Sequence, residues 1–193
     1  MYNERDLSQH FVFTLAWLLL GAVIGIHLPD LDNRLQWLIP TSVLLHRSIL
    51  THGLIISLLL FLWIQKRGGK TPSLRFFMIG LSLALAVHLC FDFFPRGWTG
   101  FALIHIPIYG RTTALTSQAW IILSIVVCLY LAFLMVRNVV ESVLSGGSLV
   151  VSFIISAFEN RGAILFALLL LTLATAAALV TTRYIHKVAA RRA

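Results

Sequence analysis

Four short stretches of this 193-residue sequence combine histidine and aspartate in patterns that could bind a metal ion. They read HLPDLD from His27, HRSILTH from His46, HLCFD from His88, and IHIPIYG around His105. Imidazole nitrogens and carboxylate oxygens are ligands that zinc, manganese and iron bind in proteins. Because bound metal ions activate water, the chemistry such a site would perform is hydrolysis.

The first and third stretches each contribute two side chains that can point the same way. His88 and Asp92 are four residues apart, so on a helix they share one face. Asp30 and Asp32 follow Pro29, which ends a helix and leaves irregular backbone on which both carboxylates can turn toward one point. The His88–Asp92 pair alone could equally be a hydrogen-bonded pair that locks helix packing, and the aspartate pair alone could be only a helix stop in water.

The second stretch cannot lie on one helix face. His46 and His52 are six residues apart, so we expect one of them in a turn that precedes a helix beginning near His52. Thr51 is then a candidate N-cap for that helix. Arg47 beside them could hold a phosphate or pair with a carboxylate.

Apolar helices must position these residues. The chain is 59% hydrophobic and only 11% charged, whereas a soluble domain is about one-quarter charged. A bilayer-spanning helix needs roughly 20 apolar residues, and the sequence predicts a single all-α, polytopic membrane domain of about five spans. The predicted spans are 11–28, 43–64, 76–94, 119–136 and 163–182. Glu141 and the Ser-Gly-Gly-Ser sequence at 145–148 predict that 139–158 forms two short helices, interfacial or re-entrant.

An up–down–up path of the first three spans brings the motifs together. The first span ends at the aspartate pair, the second begins at the histidine pair, and the third ends at the His–Asp pair, so all three lie at one membrane face. We therefore predict one or two divalent ions, zinc or manganese, with Asp32 and Arg47 as catalytic residues and His27 and His105 as additional candidate ligands. The predicted ligands are Asp30, Asp32, His46, His52, His88 and Asp92.

The net charge of +8 reflects basic residues between and after the apolar runs. That distribution is typical of cytoplasmic loops and of contact with anionic lipid headgroups, and it argues against a nucleic-acid partner because no aromatic–basic platform accompanies it. The basic loop between the second and third spans predicts that the motifs face the extracytoplasmic side. The basic residues are Lys66, Arg67, Lys70 and Arg75, and Arg183, Lys187, Arg191 and Arg192.

The order of the motifs resembles that of a bacterial family of inner-membrane proteins described as LexA-binding, metal-dependent hydrolases. PDLD is followed by HR, then TH, then H-x-x-x-D with Gly97 soon after, and the resemblance covers about residues 21–110. The motif order is also similar to that of the zinc-dependent phospholipase C group. The family pattern has HRG-x-TH, whereas here Ser48 replaces the glycine and one more residue precedes Thr51. The resemblance implies that the six predicted ligands occupy the family's motif positions in a multi-pass protein of the cell inner membrane.

We expect a membrane-embedded, metal-dependent hydrolase with membrane lipid as its surroundings and a phosphoester or lipid-linked substrate. The phosphate expectation rests on Arg47, Arg96 and Arg111 near the histidine–aspartate motifs. Aromatic residues near the same face, Trp37, Trp98, Trp120 and Tyr109, are typical of an interfacial belt. The alternative is a non-enzymatic membrane subunit or regulator whose histidine–aspartate network is structural.

Overall fold

Seven α-helices and one short hairpin make up the regular structure of the described residues. The computed structural model describes residues 4–35, 37–40, 46–68, 71–93 and 103–190. The helices are α1 (Glu4–His27), α2 (Leu31–Leu35), α3 (Ile55–Lys66), α4 (Pro72–Asp92), α5 (Ala114–Met135), α6 (Val139–Glu159) and α7 (Ile164–Ala190). Strand β1 (His105–Ile106) pairs antiparallel with β2 (Gly110–Arg111), and a 3₁₀ turn, Arg161–Ala163, precedes α7.

The prediction of an all-α polytopic bundle is confirmed. Four helical segments are long and apolar enough to cross a membrane, by length and composition. They are Pro72–Asp92, Ala114–Met135, Val139–Glu159 and Arg161–Ile185. Two shorter apolar helical stretches, Phe11–His27 and Ile55–Lys66, accompany them. Several residues named above lie outside the described part of the chain: Lys70, Arg96, Gly97, Trp98, Arg191 and Arg192.

The prediction of two short helices over 139–158 is wrong, because α6 continues without a break through the two central glycines. A glycine within a helix costs only about 1 kcal/mol relative to alanine. Packing outweighs that cost, because α6 buries a row of small side chains along the face it packs inward. The row consists of Ser145, Ser148, Ser152 and Ser156. Small residues let membrane helices approach closely, and this gain could not be inferred from the local sequence.

The second predicted span, 43–64, is also corrected. Its helix, α3, contains 12 residues and is about 18 Å long at ~1.5 Å per residue, too short for a hydrocarbon core of about 30 Å. Residues 46–54 form irregular turns, and residues 43–45 lie outside the described ones. The polar second motif therefore lies on non-helical backbone, and two of its polar residues, Ser48 and His52, are buried in protein.

α4 is the centre of the bundle, and its residues 76–91 are almost all buried. α1 packs on it through glycines: a Cβ atom at Gly21 would overlap the carbonyl oxygen of Phe77, and one at Gly25 would overlap that of Leu81. Glycines four residues apart allow two membrane helices to approach backbone to backbone. Since the contact advances along both helices together, α1 and α4 are parallel and end at the same face.

α3 and α5 run in the opposite direction to α4 and begin at that face. The Leu54 amide just before α3 donates a hydrogen bond to Ser124 Oγ (3.2 Å), and Cys128 Sγ lies 3.6 Å from Ser57 Oγ. Both contacts advance in the same direction along α3 and α5. The ends of α1 and α4 and the beginnings of α3 and α5 therefore meet at one end of the bundle.

Arg75 lies in the first turn of α4 and not in the basic loop to which its sequence position assigned it. It is 5% exposed and donates to both carboxylate oxygens of Glu141, at 2.7 and 2.8 Å, and to the carbonyl of Met135 at 2.6 Å. α5 therefore ends, and α6 begins, beside the start of α4. The rings of Phe91 and Phe153 are 5.2 Å apart, so α6 runs parallel to α4.

Candidate metal centre

Three of the four chemical motifs meet at the end of the bundle where α1 and α4 terminate. A turn after α1 carries Asp30, and the five-residue helix α2 carries Asp32. α4 supplies His88 and Asp92 from its last two turns, and the irregular segment 46–54 supplies both histidines of the second motif. All six predicted ligands are therefore close to one another.

Three buried polar atoms converge at the middle of this cluster. Nε2 of His52 lies 3.1 Å from Oδ2 of Asp92, and Nε2 of His88 lies 3.2 Å from the same oxygen. Despite these distances, none of the three atoms makes a hydrogen bond within the described part of the chain. Metal–ligand bonds of about 2.0–2.1 Å place neighbouring ligand atoms about 2.9–3.4 Å apart. The observed distances are those expected around a divalent ion.

Two overlapping groups of side chains could hold a metal ion. One oxygen of Asp30 and one ring nitrogen each of His52 and His88 lie within 4.8 Å of one another. In the second group, one possible ligand atom each of Asp32, His46 and His52 also lie within 4.8 Å of one another. The first group contains both histidines whose Nε2 lacks a hydrogen-bond partner among the described residues, and with Asp92 it offers two imidazoles and two carboxylates to one ion.

Asp32 differs from the converging residues because its carboxylate is already surrounded by donors. The Thr51 hydroxyl donates to Oδ2 at 2.8 Å and the Ser48 amide at 3.3 Å, while Nδ1 of His46 lies 3.1 Å from Oδ1. Nδ1 of His52 lies 3.3 Å from Oδ2. A carboxylate that accepts from one imidazole nitrogen leaves the other nitrogen free to bind metal. The geometry therefore gives Asp32 the task of orienting His52.

Asp32 and His52 each shift the pKa of the other. Burial would raise the pKa of Asp32, but its contacts with His46, His52 and Thr51 outweigh burial and hold the pKa well below its usual range. Burial would lower the pKa of His52, but the carboxylates of Asp32 and Asp92 outweigh it and raise the pKa to about 9. The site is thus a concentration of negative charge that favours a positive charge between its carboxylates.

The two additional candidate ligands belong to neither group of possible metal ligands. His27, the last residue of α1, has an exposed side chain. His105 in β1 is 4% exposed, and its Nδ1 has no hydrogen-bond partner within the described residues. Neither is placed with the converging nitrogens of the other histidines.

Arg47 lies between two residues that contact Asp32, and its backbone is strained. Its φ of 66° is in the left-handed region, which is uncommon for residues other than glycine. The backbone of His105 holds it there: the His105 amide donates to the Arg47 carbonyl and the Ile49 amide donates to the His105 carbonyl, both at 2.8 Å. Such strain persists where surrounding structure enforces it and is common at functional sites.

Three supporting interactions were missed from the sequence. Thr51 is not an N-cap, because α3 begins at Ile55 and the Thr51 hydroxyl bonds to Asp32. The Ser48 amide also bonds to Asp32. Trp120, interpreted from its position as an interfacial aromatic residue, donates from Nε1 to the His52 carbonyl at 3.1 Å. None of these partners is indicated by sequence spacing.

Comparisons of the chain with protein-family models, with curated proteins and with solved structures found no match. The family resemblance therefore rests on its three ordered motifs. What the geometry itself establishes is a buried cluster of histidine and aspartate side chains, at one end of a bundle of membrane-type helices, that could hold a metal ion.

Proposed function

We propose that this chain is a membrane-embedded, metal-dependent hydrolase. The observation that supports this most strongly is the convergence of three buried atoms without hydrogen bonds, from His52, His88 and Asp92. Buried polar atoms are normally paired, because an unpaired one costs about 1–3 kcal/mol. A divalent cation satisfies all three at once.

In this proposal His52, His88, Asp92 and Asp30 hold the ion. Two imidazoles with two carboxylates suit zinc or manganese. When bound, such an ion supplies a Lewis acid and lowers the pKa of water for hydrolysis. Asp32 contributes through His52, because it holds Nδ1 and keeps Nε2 aimed at the other ligands.

The proposed substrate is a phosphoester. Arg47 is adjacent in sequence to two residues that contact Asp32, and its buried Nε has no hydrogen-bond partner among the described residues. A guanidinium group presents a planar set of donors that matches phosphate oxygens. Arg47 would orient the phosphate group and stabilise negative charge that develops on it during hydrolysis.

The proposal extends to family and location: the chain is a multi-pass inner-membrane protein of the LexA-binding, metal-dependent hydrolase family. Lys66 and Arg67 at the end of α3 and Arg137 before α6 lie at the face opposite the cluster, which favours a cytoplasmic position for that face. A cysteine introduced at Arg67 should react with a membrane-impermeant thiol reagent only after cells are permeabilised. Labelling in intact cells would reverse the orientation.

A second candidate function is a non-enzymatic subunit or regulator in which the cluster is structural. The surroundings of Asp32 favour it, since four donors around one buried carboxylate form a network that holds α2 against segment 46–54 without any metal.

The decisive experiment combines metal analysis with the substitution His88→Ala. The hydrolase proposal expects wild-type protein to retain a stoichiometric divalent metal, and His88→Ala to lose that metal and any phosphoesterase activity while still inserting, since insertion depends on apolar spans. The structural alternative expects no metal in wild-type protein and a mutant whose only change is a lower melting temperature. That second pattern would rule out the hydrolase.

A further inference from the structure

We propose that the metal centre receives its substrate from the bilayer, as the anionic phosphate headgroup of a membrane lipid that Arg47 binds. This rests on the proposed function and specifies the substrate of the same site. Three features carry it: the depth of the cluster along α4, a rim of exposed apolar side chains on the segments that carry the ligands, and the buried Nε of Arg47, which has no hydrogen-bond partner among the described residues.

The depth of the cluster matches the headgroup region. α4 contains 21 residues, which is about 31 Å at ~1.5 Å per residue, close to the hydrocarbon thickness of about 30 Å. Asp92 is its last residue and His88 lies one turn earlier. A helix of this length that crosses the membrane brings its final turn to the level where lipid phosphates lie.

Exposed apolar side chains stand next to the ligands on each loop segment that carries them. Leu31 separates the two aspartates, Leu50 precedes Thr51, and Trp37, which is 80% exposed, follows α2. Water is a poor solvent for such a rim, whereas the membrane interface favours aromatic and aliphatic side chains together. The rim therefore indicates that the mouth of the site faces lipid.

The hairpin of β1 and β2 extends this rim and is attached to the metal centre. Ser48 forms a bridge with His105 at the base of the hairpin, and the tip exposes Ile108 and Tyr109 by 86% and 88%. Ile108 also has a φ of 72°, a strained conformation for a β-branched residue. Burying these two side chains among lipid headgroups and acyl chains would offset the strain.

Lipid fits this rim better than a protein partner because of continuity and charge. The chain passes from β2 into α5, a candidate membrane span, within three residues, so the hairpin lies beside the membrane surface. Exposed arginines, Arg34 and Arg111, accompany the apolar tip. Basic and apolar residues together favour a surface of anionic lipid.

Arg47 is the residue of this mouth that can select an anionic headgroup. The backbone of His105 holds it in the left-handed conformation, and its buried Nε lacks a partner within the described residues. Phosphate, like carboxylate, is a group that a guanidinium binds through paired hydrogen bonds. A phosphate bound there is adjacent to the segment that supplies His46 and His52 to the cluster.

The test uses full-length protein loaded with Co²⁺, whose visible spectrum reports changes at the ion, in phosphatidylcholine nanodiscs. The spectrum is followed as inorganic phosphate is added, and separately as phosphatidic acid is incorporated into the nanodiscs. Variants are Arg47→Gln and the tip variant Ile108→Asn. The matched controls are Arg67→Gln, at the far end of α3, and Val139→Asn, an exposed β-branched residue at the far end of α6.

We expect phosphatidic acid to change the wild-type spectrum. Arg47→Gln should retain Co²⁺ and weaken the response to both phosphate sources by about tenfold or more, the loss expected for a hydrogen bond to a charged group. Ile108→Asn should weaken the response to phosphatidic acid and leave that to inorganic phosphate unchanged, and the controls should match wild type.

Two outcomes would overturn the inference while sparing the hydrolase. A response to inorganic phosphate with none to phosphatidic acid would mean a water-soluble phosphoester, and an unchanged response in Arg47→Gln would remove Arg47 from substrate binding. Wild-type protein that holds no Co²⁺ would instead refute the metal centre on which the inference rests.

Discussion

The two ends of α4 each carry a cluster of buried charged side chains, and the clusters differ in how their atoms are paired. At the start of the helix, both terminal nitrogens of Arg75 reach Glu141, and the Arg137 amide also donates to that carboxylate at 2.8 Å. At its end, the facing atoms of His88, Asp92 and the neighbouring His52 are only 3.1–3.2 Å apart but form no hydrogen bonds among the described residues.

This difference separates an ion pair that holds helices together from a group of side chains with the arrangement of metal ligands. A buried ion pair is tolerated when its geometry is good and further hydrogen bonds satisfy the remaining atoms, as at both oxygens of Glu141, and only Nε of Arg75 in that pair has no hydrogen-bond partner among the described residues. Atoms of the second cluster share one small space without satisfying each other, which is how metal ligands are arranged. Both ends bury ionisable side chains, so the way in which their atoms are paired is the property that distinguishes the two clusters.

Among substitutions that test the contrast between the two ends of α4, Glu141→Ala should have the largest effect on stability. Removing one partner leaves the buried Arg75 guanidinium without a counter-charge, because only the Met135 carbonyl still accepts from it, so we expect a loss of about 3–5 kcal/mol in the free energy of unfolding. The number of metal ions bound should not change in the folded fraction, because the pair lies at the opposite end of α4. Reversible unfolding in mixed detergent micelles, with metal analysis of folded protein, measures both quantities.

The matched control is the double substitution Arg75→Met with Glu141→Leu. Replacing both charges by apolar side chains is often neutral or stabilising, so the double variant should be more stable than Glu141→Ala alone. If the double variant lost metal while remaining folded, the two ends of α4 would not be independent, and the contrast between them would fail.

The next effect distinguishes residues within the histidine–aspartate cluster. Asp32→Asn keeps an oxygen for Thr51 and His52 but removes the charge that orients His52, so metal affinity should fall about ten- to hundredfold with stoichiometry retained. Asp92→Asn replaces the carboxylate of a proposed ligand by a neutral amide, which is a weaker ligand, and should lower affinity considerably further. Competition with a chelator of known affinity compares the two. Equal losses of metal affinity in both variants would mean that Asp32 binds the ion directly. His46, whose Nδ1 contacts Asp32, would then be the histidine that orients a ligand.

The assembly of the cluster could be predicted because it depends on simple geometric rules. His88 and Asp92 are one helical turn apart, and alternating spans must return the chain to the same face. Those rules hold even though α3 is shorter than its predicted span. The end of the bundle at which each motif lies depends only on where the neighbouring helix begins or ends.

The roles within the cluster and the shape of two segments could not be predicted, because they depend on contacts between distant parts of the chain. The bridge from Ser48 to His105 holds Arg47 in its left-handed backbone conformation, and no pattern in the local sequence predicts that bridge. In α6 the glycine pair favours a break, but burial of serines such as Ser148 against the bundle outweighs that preference. The sequence likewise assigns Arg75 to a loop, because its partner Glu141 is distant along the chain.

Trp120→Phe should have the smallest effect on stability and metal affinity among the substitutions that test the contrast between the two ends of α4. The indole Nε1 donates to the carbonyl of His52, and a Cβ atom at Gly53 would overlap the Trp120 ring, so α5 closely supports the segment that carries the ligand. Phenylalanine keeps most of the ring and loses the donor. The expected cost is that of one hydrogen bond, about 0.5–1.5 kcal/mol in the free energy of unfolding, with a few-fold loss of metal affinity.

Trp63→Phe is the matched control for this change. Trp63 lies toward the far end of α3, where its ring stacks with the guanidinium of Arg67 at 4.7 Å, so it should leave metal affinity unchanged. If Trp120→Phe lowered stability and left affinity at the wild-type value, the hydrogen bond would serve the fold alone. If metal affinity fell about ten- to hundredfold, Trp120 would support His52 as strongly as Asp32 does. A few-fold loss falls between these results, because the carboxylate of Asp32 still holds the imidazole when its backbone support is weakened.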